Sequence, residues 1–303
     1  MIPCDDAQTR LDFCHRDYLR YRELIGDLMP PTALDGATER YWVDDGRLVD
    51  RGEQAREPAV HDHYYVDSLE RPSLLAWVHG VPPRARLRLE GELPSGSDQA
   101  TRAWIRELAP VGVATTYKAI KRCLSEALGV TDWSEAGRYT VTAEDFRPRV
   151  AHPVRLLSPA DRPLWRRFVE ENMDDSMVSG RNGCGTVVRD YEFTCMGMPV
   201  AYYAAEKDGE IAGIVTIGAS TDRYDGIGAL FVGPEHRRQG FGYSLLSVAT
   251  QDILARGRQP DYFAGGDPDA LPPLLTGLGY RLNFTFYWTE RFMWYDWVLA
   301  QEP

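Results

Sequence analysis

The chain has 303 residues, 44% of them hydrophobic and 26% charged, with 16 Tyr, 8 Trp and a net charge of −11. That length suits about two domains of ~150 residues each, and the composition is that of folded proteins, far from disordered or membrane-embedded chains. No apolar run approaches the ~18 residues that cross a bilayer, the first residues lack the basic end and apolar stretch of a signal peptide, and no long basic run is available to neutralise nucleic-acid phosphates.

A cytoplasmic protein without a membrane or DNA partner is therefore expected, and the acidic balance favours a neutral or cationic small acceptor. The five cysteines Cys4, Cys14, Cys123, Cys184 and Cys195 are odd in number and form no C-x-x-C pair. This points to reduced thiols rather than a disulfide framework or a zinc site.

Along the N-terminal half, residues 74–78 and 85–90 predict strands, residues 98–108 and 115–128 predict helices, and residues 30–62, rich in Pro, Gly and acids, predict extended loops. His61, Asp62 and His63 alternate as two imidazoles on one strand face would, with Asp67 and Glu70 nearby. Such a set can bind a metal, although a solvated loop is the commoner outcome. Residues 146–153 hold two prolines and little apolar content, which reads as a linker. The expected division is thus a mixed α/β domain over 1–150, with an acceptor-site or dimer role, and a second domain over 151–303.

In the second domain, Val154, Arg155 and Leu156 predict a short strand, and Ser158, Pro159, Ala160 and Asp161 predict a helix start, with a capping hydroxyl and an early acid. Residues 202–206 and 211–217 are β-rich runs joined by Lys207, Asp208, Gly209 and Glu210, where Asp-Gly favours a tight hairpin. Residues 227–232 are almost continuously apolar, predicting a strand buried on both faces that stops at Gly233-Pro234. From Phe241 the apolar positions recur at helical spacing until Arg256-Gly257. A strand at 261–264, a helix at 271–277 and an aromatic-rich closing run at 280–297 complete the pattern.

A strand leading into a two-glycine loop and then a helix leaves backbone N–H groups free at the positive end of that helix, which is how proteins hold phosphates. Here the loop is Arg237, Arg238, Gln239, Gly240, Phe241 and Gly242, with two guanidiniums at its rim. R-x-x-G-x-G alone is a weak signal. The longer string from Leu230 through Phe231, Val232, Gly233-Pro234 and the loop to Leu245-Leu246, followed later by Leu278-Gly279-Tyr280, resembles the coenzyme-A-binding segment of GCN5-related N-acetyltransferases (GNAT) over roughly residues 154–290.

That resemblance implies a GNAT fold, α/β with a mixed, mostly antiparallel central sheet flanked by helices, and a degenerate GNAT-like N-terminal half. It implies acetyl-CoA as acyl donor, its pyrophosphate on the amides of residues 238–242, and an N–H near Val232 polarising the thioester carbonyl. Phe231, Val232, Arg237, Arg238, Gln239, Gly240, Phe241 and Gly242 are the expected cofactor-binding residues. One departure stands out: the family's general-acid tyrosine, four residues before the glycine of the L-G-aromatic turn, is Leu275 here. Asp267 stands where the family often has Asn and receives no role.

An acceptor ammonium must lose a proton before it attacks, so carboxylates near the cleft are candidate bases, here Glu206 and Asp225. His236, alone within the loop, is more often packing. Asp174, Asp175 and Ser176 follow the first helix, where family members shape the acceptor site. Phe284, Phe286, Tyr287, Trp288, Phe292, Met293, Trp294, Tyr295 and Trp297 read as core and subunit contact, which leaves a homodimer open. The expected activity is acetyl transfer to the amine of a small polar molecule. Transfer of another acyl group, aminoacyl from charged tRNA included, and a non-catalytic acyl-CoA sensor are the competing readings.

Overall fold

A computed structural model describes residues 1–21, 62–79, 85–94, 96, 98–172, 194–195, 198–199, 201–218, 221, 223–265 and 271–289. The described residues pack as two compact units, the first holding those of 1–137 with 284–289, the second those of 138–283. In chain order the first half runs β1 (Ile2–Pro3), α1 (Ala7–His15), β2 (Asp62–Val66), β3 (Leu74–His79), β4 (Arg86–Gly91), α2 (Asp98–Leu108), β5 (Gly112–Thr115), α3 (Lys118–Leu128) and β6 (Ser134–Thr140). The second half repeats the order: β7 (Val154–Leu156), α4 (Arg162–Asn172), a small hairpin of β8 (Thr194–Cys195) and β9 (Met198–Pro199), β10 (Ala201–Lys207), β11 (Glu210–Gly218), β12 (Tyr224–Val232), α5 (Phe241–Ala255), β13 (Gln259–Ala264), α6 (Leu271–Gly277) and β14 (Arg281–Trp288).

The pairings repeat as well. In unit one β1, β2, β3 and β4 are successive antiparallel neighbours, and β4 is parallel to β5. In unit two β7, β10, β11 and β12 are antiparallel neighbours and β12 is parallel to β13. Each unit takes its sixth strand from the other half of the sequence. Tyr287 and Trp288 of β14 pair with Thr115 and Ala114 of unit one, while β6 neighbours β13 in unit two. The N-terminal half is therefore a structural repeat of the C-terminal one. It lacks the glycine loop, and Asp98, in the first turn of α2, is paired with Arg102.

Unit one closes over Leu74, Ala76, Val78, Leu87, Leu89, Ile105 and Leu124. Within it Arg88 and Glu90, both buried, form an ion pair at 2.9 Å, and Glu90 also accepts from the Thr116 amide and hydroxyl. Burial pushes the Glu90 carboxyl up, against the pull of Arg88. Of the aromatic run, Phe286, Tyr287 and Trp288 are buried, with Phe286 and Trp288 packed on Ala114 and Ala136; residues 292–297 lie outside the described residues.

Unit two has a layer on each face of its sheet. Phe241, Leu245, Leu246, Ala249 and Ile253 of α5 pack with Val215, Ile217 and Tyr262, and Trp165, Phe168 and Val169 of α4 pack with Tyr202, Ala204 and Ile214. The β10–β11 hairpin turns at Asp208 (φ 55°) and Gly209 (φ 84°), the doubly left-handed geometry that Asp-Gly adopts at least cost. Gly279, in the L-G-aromatic turn, is required by close approach: a Cβ there would collide with the Asp145 carbonyl oxygen. Residues 146–153, expected as a linker, are bonded into unit two. Arg147 N–H donates to Leu278 O at 2.9 Å, Arg149 N–H to Ser247 Oγ at 2.8 Å, and the Ala151 and His152 amides to Ser244 Oγ at 3.0 and 3.1 Å.

At the start of unit two, Arg155 grips Asp161 through both terminal nitrogens at 2.9 and 2.7 Å, and Ser158 donates to the same carboxylate. The Arg155 guanidinium draws the Asp161 carboxyl down to about 2. A lowered folded-state value stabilises the fold above the ordinary carboxylate range and is lost on protonation. Asp161→Asn is accordingly expected to lower stability at neutral pH, with the difference from wild type closing as pH falls from about 4 to about 2. Denaturant unfolding at a series of pH values checks this, and a pH-independent difference would contradict it.

Candidate active site

The site grows from the way β12 leaves its neighbours. Along β11 the register runs Gly213–Val232, Ile214–Phe231 and Val215–Leu230, then jumps to Ile217–Ile227, so β12 carries one extra residue around Gly228 and Ala229. A bulge of this kind bends a strand and increases its twist. On the other side β12 pairs with β13 only from Tyr224–Gln259 to Ile227–Tyr262. Beyond Ile227 that edge is open, and residues 228–232 are half-buried. The sequence expectation that residues 227–232 are buried on both faces holds for Ile227 alone, because the bulge carries the rest of the strand away from its partner.

The direction of the Val232 amide follows from the ladder. Gly233 N–H donates to Ala212 O at 2.9 Å, which makes Val232–Gly213 the pair that shares no hydrogen bond. In an antiparallel ladder the N–H and C=O of such a residue face away from that partner strand. The Val232 carbonyl accepts from Arg237 Nε at 3.1 Å, while its N–H points along the open edge. Arg237 also lies over the Phe231 ring at 5.7 Å.

The loop that follows carries a short 3₁₀ turn (Pro234–His236) and reaches α5 through Arg238 (φ 61°) and Gly240 (φ 93°). Positive φ at both residues lets the chain turn tightly into the helix. Among the described residues the amides of Arg238, Gln239, Gly240, Phe241 and Gly242 donate to no protein acceptor, and α5 has no side-chain cap. The first bond of that turn is Ser244 N–H to Gly240 O at 3.1 Å. Five free donors at the N-terminus of a 15-residue helix suit a diphosphate.

The loop is braced from outside. His152 stacks on Phe241 with ring centroids 3.7 Å apart and planes 13° from parallel, and its Nε2 lies 2.7 Å from Gln239 O. His236 sits on Phe241 at 5.6 Å and beside Glu235 at 3.2 Å, a packing position. Gln239 anchors its own side chain on Glu235 O at 2.7 Å. Sequence reasoning did not find His152, Ser244 and Ser247. The available signal was two serines in the apolar face of a helix, both fully buried as seats for the 147–152 strap.

The candidate bases separate. Glu206, at the far end of β10, follows an irregularity at Ala205/Glu206 and accepts from Arg155 Nε and Nη2 at 2.9 and 2.6 Å, with about a third of its side chain exposed. It lies at the end of the sheet that carries Val232, two strands and so roughly 10 Å across. Asp225 is seven residues before Val232, roughly 23 Å along an extended strand. It is fully buried, with Arg256 on one oxygen at 3.0 Å and Arg258 on the other at 2.9 Å. A carboxylate sealed in the core between two guanidiniums, at the opposite end of β12 from Val232, has no access to a bound acceptor, so Asp225 is a structural anchor and not the base expected from the sequence.

Leu275 is fully buried in the core beside Leu278 and Tyr280. Tyr280 does not substitute for the missing tyrosine, since it too is buried, shares a 2.6 Å hydrogen bond with Thr250, and burial pushes its hydroxyl above the ordinary range. Asp174, Asp175, Ser176, Asp267 and His61 lie outside the described residues. Among the described residues no group of His, Cys, Asp or Glu could hold a metal, and no helix is long and apolar enough to cross a membrane. The Cys4, Cys14 and Cys123 thiols are free and buried.

Residues 165–260 match the family model described as acetyltransferase (GNAT) family, spanning α4 through the start of β13. No curated protein matches the sequence. Among solved structures, a Drosophila protein aligns over 94% of this chain and 96% of its own at 16% identity and a TM-score of 0.57. A tandem GNAT protein from the clavulanic acid biosynthesis pathway aligns over 96% and 98% at 16% identity and a TM-score of 0.50. A GCN5-related N-acetyltransferase from Sphaerobacter thermophilus aligns over 86% and 90% at 18% identity and a TM-score of 0.51. At these identities the likeness is one of fold, and it extends over both repeats.

Proposed function

We propose that this chain, whose residues 165–260 match the acetyltransferase (GNAT) family model, transfers an acetyl group from acetyl-CoA to an amine of a small polar, cationic molecule, by direct attack within a ternary complex. The observation that carries the reading is the conjunction of the unbonded amides at 238–242 with the open strand edge at Val232. The donor's diphosphate takes the amides, with Arg238 at the rim. The pantetheine arm follows the open edge of β12, and Val232 N–H donates to the thioester oxygen as negative charge develops there.

The amine nitrogen attacks the thioester carbon and releases its second proton to solvent as the C–S bond breaks, and the coenzyme leaves as thiolate. With Leu275 in place of a tyrosine, the thiolate takes its proton from solvent, which a thiol of pKa about 8.5 tolerates. Glu206, oriented by Arg155, receives the proton of the acceptor ammonium through a bridging water. A positioned base of this kind contributes about 10² to 10⁴ in rate, so Glu206→Gln is expected to lower kcat at least tenfold and leave acetyl-CoA affinity unchanged. Normal turnover in that variant removes Glu206 from the mechanism.

The test of the whole reading is release of coenzyme-A thiol from acetyl-CoA in the presence of a panel of small amines, each followed with and without protein. Leu275 favours one competing reading, an acyl-CoA sensor. Saturable acetyl-CoA binding with no thiol release across the panel would establish the sensor and overturn the enzyme.

A further inference from the structure

His152 belongs to no motif, yet it makes the contact that decides which way one of the loop amides points. Its Nε2 lies 2.7 Å from the Gln239 carbonyl oxygen, so Nε2 carries the proton and donates it. A trans peptide is planar, with C=O and the following N–H pointing in opposite directions. Holding the Gln239 carbonyl against His152 therefore turns the Gly240 N–H to the opposite side of the loop, away from the imidazole. Among the described residues no other contact fixes this peptide, since Gly240 N–H donates to no protein acceptor. Glycine at φ 93° belongs to a turn in which the preceding peptide can rotate by a half-turn at little steric cost. The flipped peptide would present a carbonyl oxygen where a diphosphate needs a donor.

The imidazole is itself well placed for the task. Its ring stacks on Phe241 at 3.7 Å, and its main chain is fixed by the His152 and Ala151 amides on the buried Ser244 hydroxyl, which in turn donates to Gly240 O at 3.2 Å. One side chain and one hydroxyl thus hold both ends of the Gly240 residue. We propose that His152 is a positioning residue for the acyl donor, locking the Gln239–Gly240 peptide so that the Gly240 amide faces the diphosphate. The inference rests on the coenzyme reading of this loop.

The experiment measures acetyl-CoA dissociation constants by calorimetry for wild type, His152→Phe and His152→Gln, with the unliganded Tm of each. Phe keeps the stack and removes the donor; Gln places an amide N–H at similar reach. Loss of one oriented hydrogen bond should weaken His152→Phe about three- to tenfold, and His152→Gln should stay within about twofold of wild type. Unliganded Tm values close to wild type in both variants complete the expected result, since a merely structural role would move Tm and would not be restored by Gln. His152→Phe binding as tightly as wild type overturns the proposal, as does equal weakening in both variants. Wild type failing to bind acetyl-CoA overturns instead the coenzyme reading beneath it.

Discussion

Gly240→Val is expected to abolish the stabilisation that acetyl-CoA confers on the folded chain, which for wild type should reach about 2.7 kcal/mol at a hundred times the dissociation constant. The reason lies in the backbone, because a Cβ at this position meets nothing nearer than His152 Nε2 at 3.7 Å. Gly240 has φ 93°, which an L-residue rarely adopts and a β-branched one resists most, at about 1–3 kcal/mol. The loop relieves that strain by re-routing, and the amides of residues 238–242 then no longer converge. Helix α5 starts at the next residue and buries Phe241, Leu245 and Leu246, so the fold should survive the change. Thermal denaturation with and without acetyl-CoA measures the effect. A full ligand-induced shift in the variant would show that the diphosphate does not rest on this loop.

The largest loss of stability is expected from Asp225→Ala. Its carboxylate is fully buried against Arg256 and Arg258, whose side chains are themselves about nine-tenths buried. Removing one member of a buried ion network leaves uncompensated charge and typically costs about 3–5 kcal/mol. Urea unfolding should show that loss, whereas acetyl-CoA affinity and kcat per folded molecule should match wild type, because the carboxylate stands at the opposite end of β12 from Val232. A stable variant with impaired turnover would instead restore Asp225 to the chemistry.

These two aspartate and glycine positions show how far local pattern carries. The residue string around Gly240 announces a loop and a helix start, since each depends on neighbours within a few residues. The hairpin at Asp208-Gly209 and the helix at residues 271–277 are legible for the same reason. Asp225 looks like a cleft carboxylate in sequence because its partners are 31 and 33 residues further on, at the end of α5. Strands 62–66, 112–115 and 134–140 escape a periodicity reading because they are short or mix charged and apolar residues, and their pairing comes from distant segments.

Residue type and short-range spacing in the sequence were enough to place a two-glycine turn before an apolar helix, to put Leu275 where the resemblance expects a tyrosine, and to give α/β units. The bulge of β12 and its parting from β13, the strap of residues 146–153 seated on Ser244 and Ser247, and the completion of each unit's sheet by a strand from the other half of the sequence came from long-range packing. Those outcomes depend on hydrogen bonds between residues that are far apart along the chain, such as the 87 positions separating His152 from Gln239. Such partners leave no periodic trace in either stretch, because register and edge pairing are settled by which surfaces can be buried together once the elements exist.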